Sequence, residues 1–189
     1  MSIDPNSKNT LPATCAIAFK EWAVICAALE TGRQSIILRK GGIHEGRDGF
    51  RVAHNAFWLY PTNFHQAADG LSDDAGPLLA QVAESRPAED ILRLQSFAVV
   101  QAVRELHDES TALALRGQHL WSEETVRQRF YYKQPGLFML EVQVYRRDTA
   151  IELAESPHFA GCRSWVELPT PLSTAGLNPV DPKQRNLAN

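Results

Sequence analysis

Leu137-Phe138-Met139-Leu140-Glu141-Val142-Gln143-Val144-Tyr145 is the stretch that decides the fold class. Phe138, Leu140, Val142 and Val144 alternate with a mixed set of Leu137, Met139, Glu141, Gln143 and Tyr145. Successive side chains of a strand point to opposite faces, so this period of two predicts a strand with one buried face. Upstream, Ile91 to Val103 is rich in β-branched residues and alternates in part at Leu92, Leu94 and Val99, which predicts one long or bent strand before an acidic turn at Asp108-Glu109. Ser35–Leu38, Phe57–Tyr60 and Trp165–Leu168 read as further strands.

Between these runs the spacing changes. Phe19, Trp22, Ala23, Cys26 and Leu29 recur every three or four residues, which predicts a helix over 17–31 that Gly32 stops and on which Lys20 and Glu21 form a surface pair. Helices are also expected over 75–85, over 123–131 behind a Ser122 cap, and over 149–155. Thr62, just after Pro61, is placed to cap a helix carrying Asn63, Phe64, His65 and Gln66. Strands and helices alternate without βαβ repetition. The fold class expected is therefore α+β, with a mostly antiparallel sheet open to curling into a partial barrel and flanked by several short helices. Residues 13–168 form the expected single domain, with flexible ends at 1–12 and 169–189.

Composition narrows the function classes. A chain of 189 residues, 44% hydrophobic and 22% charged, is neither a disordered chain nor a coiled-coil rod. Its apolar runs fall far short of the ~18 residues a bilayer helix needs, so no membrane partner is expected. Cys15, Cys26 and Cys162 lack CxxC spacing, which argues against a disulfide framework or a zinc knuckle and fits a reducing cytoplasm. The polar start, Met1 to Pro12, lacks the apolar core of a secretion signal. A net charge of −3 excludes a uniformly basic nucleic-acid coat protein, yet residues 33–68 and 116–147 each carry +3 around −6 over 69–110. Two basic segments can build one cationic face.

Two segments concentrate groups suited to an anion. Arg39-Lys40-Gly41-Gly42-Ile43-His44-Glu45 sets two cations and a glycine turn at a strand end, where amide donors and charge-assisted bonds can hold phosphate or carboxylate. A hairpin with solvated cations accounts for the same residues. Tyr60-Pro61-Thr62-Asn63-Phe64-His65-Gln66 sets Thr62, His65 and Gln66 within one turn of an expected helix start, which favours anions; a Thr cap and a packed His explain it equally well. Lys20, Glu21, Arg39, Lys40, Gly41, Gly42, Glu45, Tyr60, Thr62, His65 and Gln66 are thus the candidate ligand-binding residues.

Other chemistry has less support. Neither GxxxxGK[ST] nor GxGxxG occurs, the six histidines include no HxH or HExxH, and GxSxG is absent. No cofactor or dedicated metal site is indicated. Glu141 and Gln143, on one face of a strand with Asp108 upstream, loosely echo the acidic pairs that position Mg²⁺ for phosphodiester cleavage, with Gln143 where a Lys is expected. Trp58, Tyr60, Trp121, Phe130, Tyr131, Tyr132 and Trp165 gather near element ends, where they can stack on bases or pack the core.

In combination, Ala18 to Val24, Leu38 to Ile43, Phe57 to Thr62 with His65-Gln66, Phe138 to Arg146, and Gly161-Cys162-Arg163-Ser164-Trp165 resemble a bacterial family, domain of unknown function 1802, over roughly residues 15–168. The resemblance implies no activity. It implies an association with restriction–modification systems, which inclines the reading toward nucleic acid, and by analogy of fold a PUA-like pseudo-barrel. A binding module for nucleic acid or an anionic, phosphate-bearing small molecule is the leading expectation. A metal-dependent phosphodiesterase or nucleotide-acting enzyme, with Glu45 or His65 as acid–base groups, and a protein–protein adaptor are the alternatives.

Overall fold

The computed structural model describes residues 11–40, 53–63, 68–159, 161 and 163–182. The chain opens with strand β1 (Thr14–Trp22), which runs directly into helix α1 (Ala23–Glu30), and strand β2 (Ile36–Arg39) follows. Next come β3 (Ala56–Thr62), α2 (Gly76–Glu84) and β4 (Ile91–Leu106). The short α3 (Glu109–Leu113) and α4 (Glu123–Tyr131) precede β5 (Leu137–Ala154), β6 (Trp165–Ser173) and the two-residue β7 (Asn178–Pro179).

The deciding stretch is a strand, with Met139, Leu140, Val142 and Val144 buried. It extends nine residues further than expected, through Ala154, where a helix was read over 149–155. Ile151 and Leu153 face Leu94 and Leu92 of β4, so a period of two overrides the helix-forming Ala and Glu between them. The helix expected over 17–31 is half strand. Ala18 and Phe19 are both fully buried, each in a different apolar cluster, so the strand is apolar at successive positions and mimics a helical stripe. Gly32 does end α1, at φ 68°.

One sheet carries all seven strands in the order β2-β5-β4-β3-β1-β6, with β7 beside β5. Every pairing is antiparallel except β1 with β3. A parallel pair needs a crossover, and α1 with β2 supplies part of it. Register shifts between Leu94 and Ser96 and between Val100 and Ala102 bend β4 along β5.

The two sheet faces bury different cores. Phe19, Phe57, Leu59 and Val144 pack with α1, α2 and α4. Trp58, Leu94, Phe97, Tyr145 and Val166 form a second cluster with no contribution from the four α-helices. A face buried mainly by strands, with Phe159 of a short 3-10 turn, requires the sheet to curl around it, and β2 and β6, at the two ends of the path, do not pair with each other among the described residues. The architecture is α+β with a mostly antiparallel, partly closed sheet. Residues 169–182 depart from the flexible tail expected: β6 reaches Ser173, and the buried Thr174 donates its hydroxyl to the carbonyl of Ala13. No helix of the described residues is long and apolar enough to cross a membrane.

Candidate functional site

β1 and β3 run side by side and end together, with Lys20 opposite Tyr60, Glu21 opposite Pro61 and Trp22 opposite Thr62. A cleft of about 1040 Å³ opens at these tips. Side chains beyond the carboxyl ends of parallel strands are not covered by the sheet, which leaves such tips as a ready place for a ligand. Lys20, Glu21, Arg39, Lys40, Tyr60 and Thr62 all line this cleft. Gly41, Gly42, Glu45, His65 and Gln66 lie outside the described residues, and with them the amide donors expected of the glycine turn and the helix start.

Because side chains alternate along β1, its last residues serve opposite faces of the sheet. On the helical face the Glu21 carboxylate is almost wholly buried. The Trp22 N–H donates to its Oε1 at 2.8 Å, and Arg39 Nη1 stands 3.5 Å from its Oε2. Arg39 also donates through Nη2 to the Lys20 carbonyl at 3.0 Å and lies 4.4 Å over the Phe19 ring. A second guanidinium, that of Arg129 on α4, lies 3.6 Å over the ring of Trp121, which meets Trp22 edge-on at 4.7 Å. Burial pushes the Arg129 pKa down to about 10, the Arg39 charge acts in the same sense, and Glu21 opposes both.

On the other face Lys20 Nζ donates to the carbonyls of Phe159 and Gly161 and stands 5.5 Å over the Tyr60 ring. The Tyr60 hydroxyl donates to the Glu155 carboxylate. Burial first, and then Glu155, pushes the Tyr60 pKa up, so the phenol stays protonated. Further along the cleft Ser96 donates to Glu30 Oε1 at 2.8 Å, and burial pushes the Glu30 pKa up. A smaller cavity of about 440 Å³, with His54, His158 and Trp165 in its wall, shares Phe159 and Arg163 with the main cleft.

Several expected roles change once partners are visible. Lys20 and Glu21 sit on a strand, not on a helical surface. Thr62 lies within β3 and donates its hydroxyl to the Glu21 carbonyl at 3.1 Å, joining two strand tips where a helix cap was expected. Lys40 donates to the carbonyls of Phe130, Gln134 and Gly136, so its three N–H donors are engaged at the C-terminal end of α4. Trp58, Trp121 and Phe130 are buried, which removes them as open stacking platforms, whereas Tyr131 and Tyr132 are exposed. Glu141 is held by Arg104 at 2.9 Å, and the Gln143 amide donates to the carbonyls of Val144 and Val180. The echo of a metal-binding pair is thus accounted for by strand contacts, and the described residues contain no group of three or more His, Cys, Asp or Glu able to hold a metal.

Arg129, Arg163, Trp22 and Glu155 also line the cleft and were not among the candidates. Arg129 had a readable signal. It lies three residues after Val126 and one before Phe130, the two buried positions of α4, so it flanks the stripe that faces the sheet. Glu155 ends the helix expected over 149–155, whereas it lies just past the end of β5, and its contact with Tyr60 joins residues 95 positions apart.

Solved structures are similar to this chain at low identity. A mutant of the ASCH protein from Zymomonas mobilis aligns at TM-score 0.48 and 15% identity, covering 84% of this chain and 91% of that one. The crystal structure of ASCH from Zymomonas mobilis aligns at TM-score 0.48 and 16% identity, covering 80% and 86%. No curated protein matches the chain. The profile of the family described as Domain of unknown function (DUF1802) matches residues 18–187, from the middle of β1 to beyond β7. That match takes in nearly all of the sequence, and the chain belongs to the DUF1802 family.

Proposed function

We propose that the protein is a binding module for a nucleic-acid strand or a related phosphate-bearing ligand, seated in the cleft at the tips of β1 and β3. The observation that carries this reading is the gathering of Lys20, Arg39, Arg129 and Arg163 in the wall of one cleft, whose cations in all outnumber the carboxylates of Glu21, Glu30, Glu89 and Glu155. The two basic stretches of sequence contribute Arg39 and Arg129, so the local charge pattern has a counterpart in space. Anions are drawn to such a surface whatever the net charge of the whole chain. The cleft volume, about 1040 Å³, stands at the upper end of the ~300–1,000 Å³ typical of small-molecule pockets, which favours a ligand of several units. An association with restriction–modification, implied by the family resemblance, would make that ligand DNA.

Arg163 supplies the cleanest test. It is exposed and has no ion pair or hydrogen bond from its side chain among the described residues, so reversing its charge leaves the fold intact. Reversal of Arg39 or Lys40 would instead break contacts to Glu21 or to α4. Fluorescein-labelled single-stranded DNA, single-stranded RNA and duplex DNA are titrated with the full chain between about 50 and 200 mM salt. Three to four phosphate contacts on a single strand predict a log–log salt slope of about −2 to −3. Arg163→Glu is expected to weaken binding about tenfold at an unchanged Tm. Absence of binding to all three probes, binding indifferent to salt, or wild-type affinity in the variant overturns the reading.

A further inference from the structure

We propose that Arg129 and Arg39, which line the same cleft as the buried Glu21, read an internal, singly charged phosphodiester linkage, so that the cleft takes the body of a strand and not a terminal phosphate. The inference rests on the binding reading above and deepens it.

Donors and acceptors around Glu21 do not balance. A guanidinium carries five N–H donors. Among the described residues, Arg39 directs only Nη1 and Nη2 to protein acceptors, the first across 3.5 Å, and Arg129 directs its side chain to none. Glu21 already accepts the Trp22 N–H. This part of the cleft is therefore rich in donors and poor in acceptors, with both guanidinium groups half-buried in its wall. A half-buried guanidinium whose donors have no protein acceptor keeps them for the cleft, where a ligand oxyanion takes them in charge-assisted bonds.

Arg129 is also fixed in place. One face of its guanidinium lies 3.6 Å over the Trp121 ring, and Trp121 is locked edge-on by Trp22. With that face covered, the planar group offers the cleft its rim of donors, the arrangement that binds two oxygens of one phosphate side by side. The charges set the ligand class. The charges that act on Arg129 are those of Glu21 and Arg39, so this corner of the cleft sets two guanidinium groups against one carboxylate, a local surplus of one positive charge that a phosphodiester matches. A terminal phosphate carries about −1.5 to −2 at neutral pH and would leave negative charge beside Glu21. A lone carboxylate would match the charge but leave most of the cleft unfilled.

The test is a cycle between protein and ligand on the full chain. A single-stranded oligonucleotide is prepared with each phosphodiester in turn replaced by a neutral methylphosphonate, and each is titrated against wild type, Arg129→Gln and Arg129→Lys, with Tm recorded for all three proteins. At one linkage the methylphosphonate is expected to weaken wild-type binding about tenfold and to cause no further loss in Arg129→Gln. Arg129→Lys, which keeps the charge and loses the fork, falls between and carries the cycle if Arg129→Gln does not fold. Losses that add at every linkage overturn the inference, as does wild-type affinity in both variants. Displacement of the oligonucleotide by a nucleoside monophosphate or by polyglutamate at equal charge, lost in Arg129→Gln, reassigns the site to a terminal phosphate or a carboxylate and overturns it too. Those outcomes leave the binding reading standing, whereas a wild-type chain that binds no oligonucleotide removes both.

Discussion

Lys40 Nζ lies 2.7 Å from the carbonyl oxygen of Gly136 and so ties the end of β2 to the loop that leads from α4 into β5. The same ammonium reaches Phe130, the last buried residue of α4, so it satisfies helix-end carbonyls and complements the negative end of the helix dipole. Replacing it with an apolar side chain of similar length, Lys40→Met, leaves those carbonyls without their charged donor. The expected cost is about 1–3 kcal/mol in urea unfolding. Affinity for an oligonucleotide is expected to fall less than in Arg163→Glu, since Lys40 supports the wall and does not supply a free donor.

Glu21 separates stability from affinity. Its carboxylate is buried beside Arg39 and within the field of Arg129, so Glu21→Ala removes the one negative charge that both guanidinium groups share. Removing one member of a buried pair costs about 3–5 kcal/mol. Glu21→Gln keeps the shape and an acceptor for the Trp22 N–H, and a smaller loss is expected. In that variant the surplus positive charge rises, so folded protein is expected to bind a phosphodiester strand more tightly while unfolding at lower urea. A parallel fall in both quantities would contradict the charge balance described for the cleft.

Glu30 predicts a pH dependence. Burial pushes its pKa above the ordinary value of 4.5, while the Ser96 hydrogen bond and the charges of Arg146 and Arg93 oppose that shift. The native state therefore keeps its proton to higher pH than the unfolded chain, which makes the contribution to stability full below about pH 4.5 and lost as pH rises through the native value. Glu30→Gln mimics the protonated form. Its Tm is expected to exceed wild type at pH 7 and to converge on it near pH 4; equal Tm values at pH 7 would refute this.

The thiols give a simpler forecast. Cys26 is buried, and burial first, then the nearby carboxylates of Glu30 and Glu21, push its pKa well up, with Arg39 opposing. Cys15 is half-buried, and its pKa is also raised by burial. Thiolate is the reactive form, so iodoacetamide at pH 7.5 is expected to label neither residue quickly in the native protein. Peptide mass spectrometry before and after urea resolves the two sites, and rapid native labelling of Cys26 would contradict its placement.

What the sequence made legible follows from physics that is local. Ser122 accepts the Thr125 N–H at 3.2 Å, as its position before Glu123 suggests, and Gly76–Glu84 forms the helix expected one residue wider. Misreadings occurred where a distant partner outweighs local spacing. At Ile17 to Trp22 strands on both sides bury successive residues, and at Asp148 to Ala154 the pairing with β4 imposes an extended chain. The candidate site shows the same division. Charge and strand-end position pointed to Arg39 and Tyr60, which line one cleft with Lys20, expected on a helix; no spacing shows that Lys40 closes a helix or that Arg129 arrives from residues 90 positions beyond Arg39.

The place of β1 between β3 and β6 also bears on how the protein is made. Thr14 pairs with Ser173, so β1 leaves the ribosome well before the strand that completes its second edge. At roughly 5–20 residues per second, synthesis of the intervening chain takes on the order of ten to thirty seconds, during which one edge of β1 stays open. Unpaired edges recruit foreign strands, so nascent chains of this topology are open to pairing with other chains until β6 emerges and docks.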